Sequence, residues 1–171
     1  YGHNFLLDGS RAGNGVTTGD HLEFVVASEK AHSSGPGGYE VTIENAATRA
    51  THSGSVALNQ AIIDSGEQIT VSEGGRVVNF LTEEGKTVEQ TLNDLETAIN
   101  DAGLSIDLIR PYPPSTEGNA PQNITFRHKE FGSEHTFQVA SNTAGLVSSV
   151  ANTSVVVDNG TDVAGKINGE E

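Results

Sequence analysis

Residues 87–103 read TVEQTLNDLETAINDAG and carry the strongest structural signal in the chain. Thr87 and Gln90 are spaced as a capping box, and Gly103 is the residue type that commonly ends a helix in the left-handed conformation. Between them, apolar residues recur at intervals of four and three, which places them on one helical face. These residues are Val88, Leu92, Leu95, Ile99 and Ala102. Start, period and stop agree, so the stretch predicts one amphipathic helix.

Segments typical of β-strands flank this helix on both sides. Upstream, Ile69–Val71 and Val77–Leu81 are separated by Gly74-Gly75, and two glycines supply the positive φ values that a tight hairpin needs. Downstream, apolar residues alternate over Leu104–Leu108, as they do in a half-buried strand. The predicted order is hairpin, helix, strand.

Farther along, Ile124–His128 and Thr136–Ala140 alternate in the same way around Glu130–Ser133, which predicts a second hairpin. A β-branched run comes after them at Val155–Val157. One amphipathic helix packed on a mainly antiparallel sheet is an α+β fold. We therefore predict an α+β fold in the order hairpin, helix, strand, hairpin, preceded by a mostly β segment.

The first part of the chain has a weaker pattern. Leu22–Val26 and Tyr39–Ile43 alternate as strands do, and the polar stretch between them includes Gly35-Pro36-Gly37-Gly38, so they predict a hairpin with a long tip. Residues 44–66 fit neither template. We predict a mostly β outer or inserted subdomain over 1–65 and an α+β subdomain over 66–171. Because the core is thin, truncation near Gly66 should unfold both.

Composition excludes several classes of function. The 171 residues include 9 Lys+Arg against 23 Asp+Glu, a formal net charge of −14, which disfavours nucleic acid and anionic membranes as partners. No apolar run approaches the ~20 residues that span a bilayer. Cys is absent, which excludes disulfides and thiol chemistry. Met is absent too, so we expect a fragment or processed form rather than a whole translation product.

Two groups of residues are candidate metal ligands. His128 and His135 flank the turn of the predicted second hairpin, and paired strands would bring their rings together near Glu130 and Glu134 as a zinc or nickel site. A solvated hairpin explains the same residues better. The run Asp158–Asp162 resembles the opening of a calcium loop, but Gly169 stands where an EF-hand places its bidentate Glu. An ordinary Asn-Gly turn is the favoured interpretation.

No pattern in the chain is typical of an enzyme. There is no Gly-x-Ser-x-Gly elbow after a strand and no Gly-Lys-Ser/Thr phosphate loop. Paired carboxylates such as Glu83-Glu84 lie in predicted turns. We predict that the chain is not an enzyme, with no catalytic residues, no cofactor and no metal site.

Two stretches of the sequence resemble a known family. The stretch from Gln68 through Gly103, with Ile99-Asn100 near the end of the helix, resembles the flagellin hook IN motif, whose core is a hairpin, a helix and a strand after it. Phe137–Leu146 and Asn159–Glu170 are similar to the segments located after that motif in flagellar hook-associated protein 2, the filament-cap family, and in some large flagellins. The resemblance covers roughly residues 66–171.

The resemblance implies a function, a location and partners. It implies a non-enzymatic, surface-exposed middle domain of an exported flagellar protein, cap or flagellin, that contributes to filament assembly on the extracellular bacterial flagellum. Its partners would be further copies of the chain or other flagellar subunits, with host mucin or glycan as an adhesion ligand.

The alternative function is that of an extracellular adhesin or carbohydrate-binding module. Sugar sites usually present aromatic rings for stacking. Tyr39, Tyr112 and Phe131 lie in or beside predicted loops and are the candidate platforms. Scattered core or edge aromatics are the favoured interpretation of the same residues.

Overall fold

The computed structural model describes residues 38–110 and 118–168. Within these ranges the chain forms nine strands and two helices. In chain order they are β1 (Val41–Asn45), β2 (Thr51–Ser53), α1 (Gln60–Asp64), β3 (Gln68–Glu73), β4 (Arg76–Leu81), α2 (Val88–Asp101), β5 (Ile106–Ile109), β6 (Thr125–His128), β7 (Gln138–Ser141), β8 (Val155–Val156) and β9 (Ala164–Ile167).

The strands form three sheets. One has four strands in the order β4-β3-β7-β8, one has three in the order β2-β6-β5, and one consists of β1 and β9. Every pairing within the two larger sheets is antiparallel. The predicted α+β fold, mainly antiparallel β with an amphipathic helix, is confirmed.

The chain divides into two compact units. The larger unit runs from residue 43 to residue 166. Of the described residues, 38–42 and 167–168 belong to the smaller unit, where Glu40 donates its backbone N–H to Asn168 Oδ1 at 3.0 Å. The subdomains 1–65 and 66–171 stay a prediction. β2 precedes residue 66 and pairs with β6, which comes after it.

The predicted helix is confirmed as α2, and its capping residues act as expected. Thr87 Oγ1 accepts a hydrogen bond from the backbone N–H of Gln90 at 3.2 Å, while Gln90 Oε1 accepts from the backbone N–H of Thr87 at 3.0 Å. Gly103 lies just beyond the helix with φ +67°. The helix face that packs into the core consists of Val88, Leu92, Leu95 and Ile99, each at most 2% exposed.

The first predicted hairpin is confirmed as β3 and β4. Glu73 pairs with Arg76, and the turn between them consists of Gly74 and Gly75 with φ of 57° and 82°. The strand after the helix is β5, where Ile106 and Leu108 are buried. The order hairpin, helix, strand is therefore present.

The prediction of a second hairpin, formed by Ile124–His128 and Thr136–Ala140, was wrong. β6 lies between β2 and β5, whereas β7 lies between β3 and β8 in a different sheet. Alternation determines which face of a strand is buried but does not choose its partner. Both strands do bury one face, and their neighbouring aromatics meet edge to face, with the ring centroids of Phe126 and Phe137 6.4 Å apart at 85°.

The predicted strand at Tyr39–Ile43 is present as β1, but its exposure was predicted wrongly. All five residues of β1 are exposed, and its partner among the described residues is β9. The expected partner, Leu22–Val26, lies outside the described residues. The stretch that fitted neither template contains β2, a bridge at Leu58 and helix α1.

One buried apolar cluster connects the larger elements. It combines side chains of α2 with those of both larger sheets, including Val71 of β3, Phe126 of β6 and Val139 of β7. Burying an aliphatic or aromatic side chain of this size contributes roughly 1.5–3 kcal/mol. The two sheets are therefore stabilised by the same core.

Candidate functional site

The structure brings the two candidate histidines together. The rings of His128 and His135 are stacked with centroids 4.8 Å apart and planes inclined by 19°. His128 ends β6 and is 1% exposed, whereas His135 lies in the connection to β7 and is half-buried. The rings are neighbours although β6 and β7 do not pair with each other.

Both ring nitrogens of His128 have hydrogen-bond partners. Nδ1 accepts from the backbone N–H of Glu130 at 3.0 Å, so in the neutral ring the proton is on Nε2. Nε2 lies 3.4 Å from Glu73 Oε1 and donates to it. The second oxygen of Glu73 accepts from the backbone N–H of Ser105 at 3.0 Å. His128 thus joins β6 to the end of β3.

This arrangement does not resemble a metal site. A ligating nitrogen needs a lone pair directed at the ion, and the Nδ1 lone pair of His128 already accepts a hydrogen bond from Glu130. Among the described residues, no group of three or more His, Asp or Glu side chains is placed to hold a metal ion.

An ion that binds only the folded state raises the melting temperature. Since His128 and His135 do not form a metal site, we expect excess Zn²⁺ or Ni²⁺ to leave the melting temperature of the full chain unchanged. Differential scanning fluorimetry with metal and with chelator measures it. His3, His21 and His32, which lie outside the described residues, could also bind the added ion. The matched control is therefore His135→Ala, which removes one ring of the pair and leaves those three histidines in place. A metal-dependent rise that His135→Ala abolishes would contradict this prediction.

The candidate calcium run, Asp158–Asp162, makes structural contacts instead. Asp162 accepts from the backbone N–H of Ser133 at 2.7 Å and from its hydroxyl at 2.6 Å. Asn159 donates its side-chain amide to the carbonyl of Ser133. Thr161 exchanges backbone and side-chain hydrogen bonds with Thr48. The run therefore connects the segment before β2 to the segment before β7.

The pKa of Asp162 is lowered from its usual value of 3.8, first by the Ser133 hydroxyl, then by the Ser133 backbone N–H, with a smaller contribution from the charge of His135. A lowered carboxyl pKa stabilises the folded state at neutral pH, and this contribution is lost as pH falls through the folded pKa, below 3.8.

We expect a carboxyl titration by NMR to place the midpoint of Asp162 below 3.8 and Ser133→Ala to move it upward. Ser133→Ala removes the hydroxyl donor and keeps the backbone donor, so the shift should be partial. A midpoint that Ser133→Ala leaves unchanged would show that the hydroxyl is not the main cause.

Glu67 is a buried carboxylate that the sequence patterns did not single out. It is 2% exposed and accepts from the backbone N–H groups of Asn142 at 2.6 Å and Thr143 at 3.0 Å. Its second oxygen accepts from the Thr143 hydroxyl at 2.6 Å. A buried charge costs folding free energy unless it is hydrogen-bonded. These bonds give Glu67 a structural role, holding the start of β3 against the segment after β7.

The outer side of α2 is acidic, and nearby cations pair with it. Lys86 Nζ lies 2.7 Å from Asp94 and 2.9 Å from Glu83, and these hydrogen bonds, that of Asp94 first, raise the pKa of Lys86. Arg110 lies 3.3 Å from Glu96 and 3.7 Å from Glu89.

Arg110 also borders an open cleft. The other lining residues are Ile109, Pro121, Gln122, Asn123 and Thr125. Because the Arg110 guanidinium pairs with two carboxylates of α2, its charge is already compensated at the edge of this cleft.

The aromatic candidates are not gathered into one platform among the described residues. Phe131 is 53% exposed, and the Arg49 guanidinium lies over its ring, 4.1 Å from the centroid. Tyr39 is 47% exposed and belongs to the smaller unit. Tyr112 lies outside the described residues.

In the described part of the chain, neither helix has the length and hydrophobicity that crossing a membrane requires.

Comparisons with known proteins found likeness only among solved structures. No protein-family model matches the chain, and no curated protein matches it. The chain is similar to the D1-D2-D3 domains of the flagellar cap protein FliD from Escherichia coli, with TM-score 0.48 and 14% identity, covering 77% of this chain and 38% of that chain.

Two further structures are similar to the chain. The D2-D3 domains of FliD from Escherichia coli give a TM-score of 0.49 and 13% identity, covering 76% of this chain and 70% of that chain. The D2-D3 domains of FliD from Serratia marcescens give 0.46 and 14%, covering 77% and 74%. The chain thus spans 38% of the first structure's chain, 70% of the second and 74% of the third.

Proposed function

We propose that this chain is a non-enzymatic structural domain of an exported flagellar protein, filament cap or flagellin, exposed on the outside of the bacterial flagellum. The observation that carries the proposal is the match between sequence and element order. The stretch that resembles the hook IN motif, 68–103, contains the hairpin β3-β4 and helix α2, and strand β5 follows it. This is the order that the resemblance implies.

The chemistry of the described polar residues supports a structural role. Enzymes often use acidic and histidine side chains in catalysis, and this chain has such side chains at Glu67, His128 and Asp162. Each is held by backbone or side-chain hydrogen bonds, and those of Glu67 and Asp162 connect segments distant in sequence, as does the contact of His128 with Glu73. In this proposal the chain acts by shape and surface, with further copies or other flagellar subunits as its partners.

Immunogold electron microscopy tests the proposal on flagellated cells of the organism that encodes the chain. Antibodies raised against residues 1–171 should label flagella, at the filament tip for a cap protein and along the filament for a flagellin. The matched control is a strain in which the same residues are deleted in frame from the parent gene. Label on the cell wall, or label that survives the deletion, would contradict the proposal.

The alternative, an extracellular adhesin or carbohydrate-binding module that binds host mucin or glycan, is favoured by one observation. Phe131 is an exposed aromatic, and a sugar can stack on such a ring. The Arg49 guanidinium covers part of the ring, yet Phe131 is still 53% exposed. A glycan array of the full chain compared with Phe131→Ala decides this alternative: binding that Phe131→Ala removes supports it, and no binding rejects it.

A further inference from the structure

The solvent side of the four-stranded sheet differs from the acidic side of α2. Val71 and Val139 face the core, so the residues that alternate with them along each strand face outward. One outward row crosses all four strands, from Val77 through Ser72 and Gln138 to Val156. The next row contains Asn79, Thr70 and Ala140, and the last pairs Leu81 with Gln68. None of these outward residues carries a charge, and we call them the uncharged sheet face.

Apolar side chains at the two edges of this face are exposed. Val77 and Leu81 on β4 are 55% and 62% exposed, and Val156 on β8 is 59% exposed. The residues between them are polar or small, and neutral. Thr70 donates its hydroxyl to Asn79 Oδ1 at 2.9 Å. The charged residues of the adjoining β-turn point the other way, because Glu73 contacts His128 and Arg76 donates to the Gly103 carbonyl at 2.6 Å.

The net charge of the chain limits which of its surfaces can meet another copy. Two chains of −14 repel each other wherever their acidic surfaces meet, and within the Debye length of about 8 Å at physiological salt this repulsion is strong. A cationic partner would be drawn to the acidic side of α2 instead. A neutral face in an acidic chain is therefore the surface on which another copy can be accommodated most easily.

We propose that the uncharged sheet face is an interface between copies of this chain. Interface cores are depleted of charged residues, and Ser, Thr, Asn and Gln side chains offer both donors and acceptors to an identical surface. A two-fold arrangement would place the same face on both sides. The choice of another copy as the partner rests on the proposed flagellar role as well as on the net charge, whereas the location of the interface rests on the charge and exposure of this face.

The size of the face predicts weak association. Four strands spaced about 4.8 Å apart and three rows about 6.8 Å apart cover on the order of 300 Å², against about 800 Å² per partner in a stable complex. Copies held at high local concentration in an assembly would still meet through it. In dilute solution the full chain should be mainly monomeric.

The test is an NMR titration of the full chain with increasing protein concentration up to about 1 mM. We expect concentration-dependent shifts at outward residues of β4, β3, β7 and β8. Raising NaCl from about 0.05 M to about 0.5 M should strengthen the association, because salt screens the mutual repulsion. Shifts centred on another surface, no concentration dependence, or association weakened by salt would each overturn the proposal.

Matched variants identify the surface independently. Val77→Glu and Val156→Glu each place like charges on the face and should raise the dissociation constant at least about tenfold. Thr97→Glu adds the same charge to the exposed side of α2 and should change the dissociation constant less than about threefold. Melting temperatures check that each variant is folded. Equal weakening by all three would overturn the proposal, yet a flagellar location shown by gold labelling would be unaffected.

Discussion

Deletion of residues 1–66 is expected to leave the remaining chain without a cooperative fold. The deletion removes Leu58 and Ile63, both 0% exposed in the shared core, and Ala50, 1% exposed. Losing one large buried aliphatic side chain costs about 2–5 kcal/mol, whereas a whole domain is stable by about 5–15 kcal/mol. Two such losses together cost about 4–10 kcal/mol, which is comparable with the stability of a whole domain.

The deletion also removes polar and strand contacts. β6 loses its partner β2 and becomes an edge strand. The Thr82 hydroxyl, which donates to the Ile63 carbonyl at 2.8 Å, loses a buried acceptor. The Val147 carbonyl loses the ring nitrogen of His52, which lies 2.6 Å away. Buried polar groups left without partners add further cost to that of the lost apolar contacts.

Proton–nitrogen correlation spectra and urea unfolding measure the effect. The 67–171 chain should show narrow amide dispersion and no cooperative transition. The matched control deletes residues 1–42, which precede the larger compact unit, and should keep dispersed signals and a cooperative transition. Cooperative unfolding of the 67–171 chain would contradict the prediction and would favour an independent second subdomain.

The elements that could be predicted from sequence are those whose determinants are local. In α2, the cap, the apolar period and the terminal glycine lie within residues 87–103, and no distant contact is needed to choose between helix and strand. The hairpin of β3 and β4 is likewise specified by its own glycine turn. Local agreement of this kind makes a sequence pattern decisive.

Partner choice was not predictable, because it depends on distant segments. β6 and β7 have the alternation of a hairpin, yet they do not pair with each other, and each has one distant partner, β2 for β6 and β3 for β7. The histidine pair shows the same limit. The rings of His128 and His135 meet although β6 and β7 belong to different sheets, and the nitrogen partners of His128 include Glu73, 55 residues away. Glu67 has no local signal, since its acceptor role depends on Asn142 and Thr143.

Gly54→Ala is expected to lower the free energy of unfolding by roughly 3–5 kcal/mol, which is large for one methyl group. A Cβ at this position would lie 1.8 Å from the carbonyl oxygen of Leu146 and 2.8 Å from its carbonyl carbon. Both are backbone atoms, so no side-chain rotation relieves the clash. The backbone cannot easily yield either, because Gly54 donates its N–H to the Ile124 carbonyl at 2.9 Å and Ser55 donates to the Gly145 carbonyl at 2.8 Å.

Urea unfolding of the full chain measures this loss as a fall in the midpoint of about 2 M, if the slope is near 2 kcal/mol/M. Gly118→Ala is the matched control, because a Cβ there meets nothing within 4 Å. Neither glycine has a positive φ, so both substitutions stiffen the unfolded chain similarly, a gain of at most about 1 kcal/mol. The difference in unfolding free energy between the two variants therefore measures the cost of the steric clash at Gly54. Equal midpoints would mean that the 145–146 segment does not pack against the end of β2.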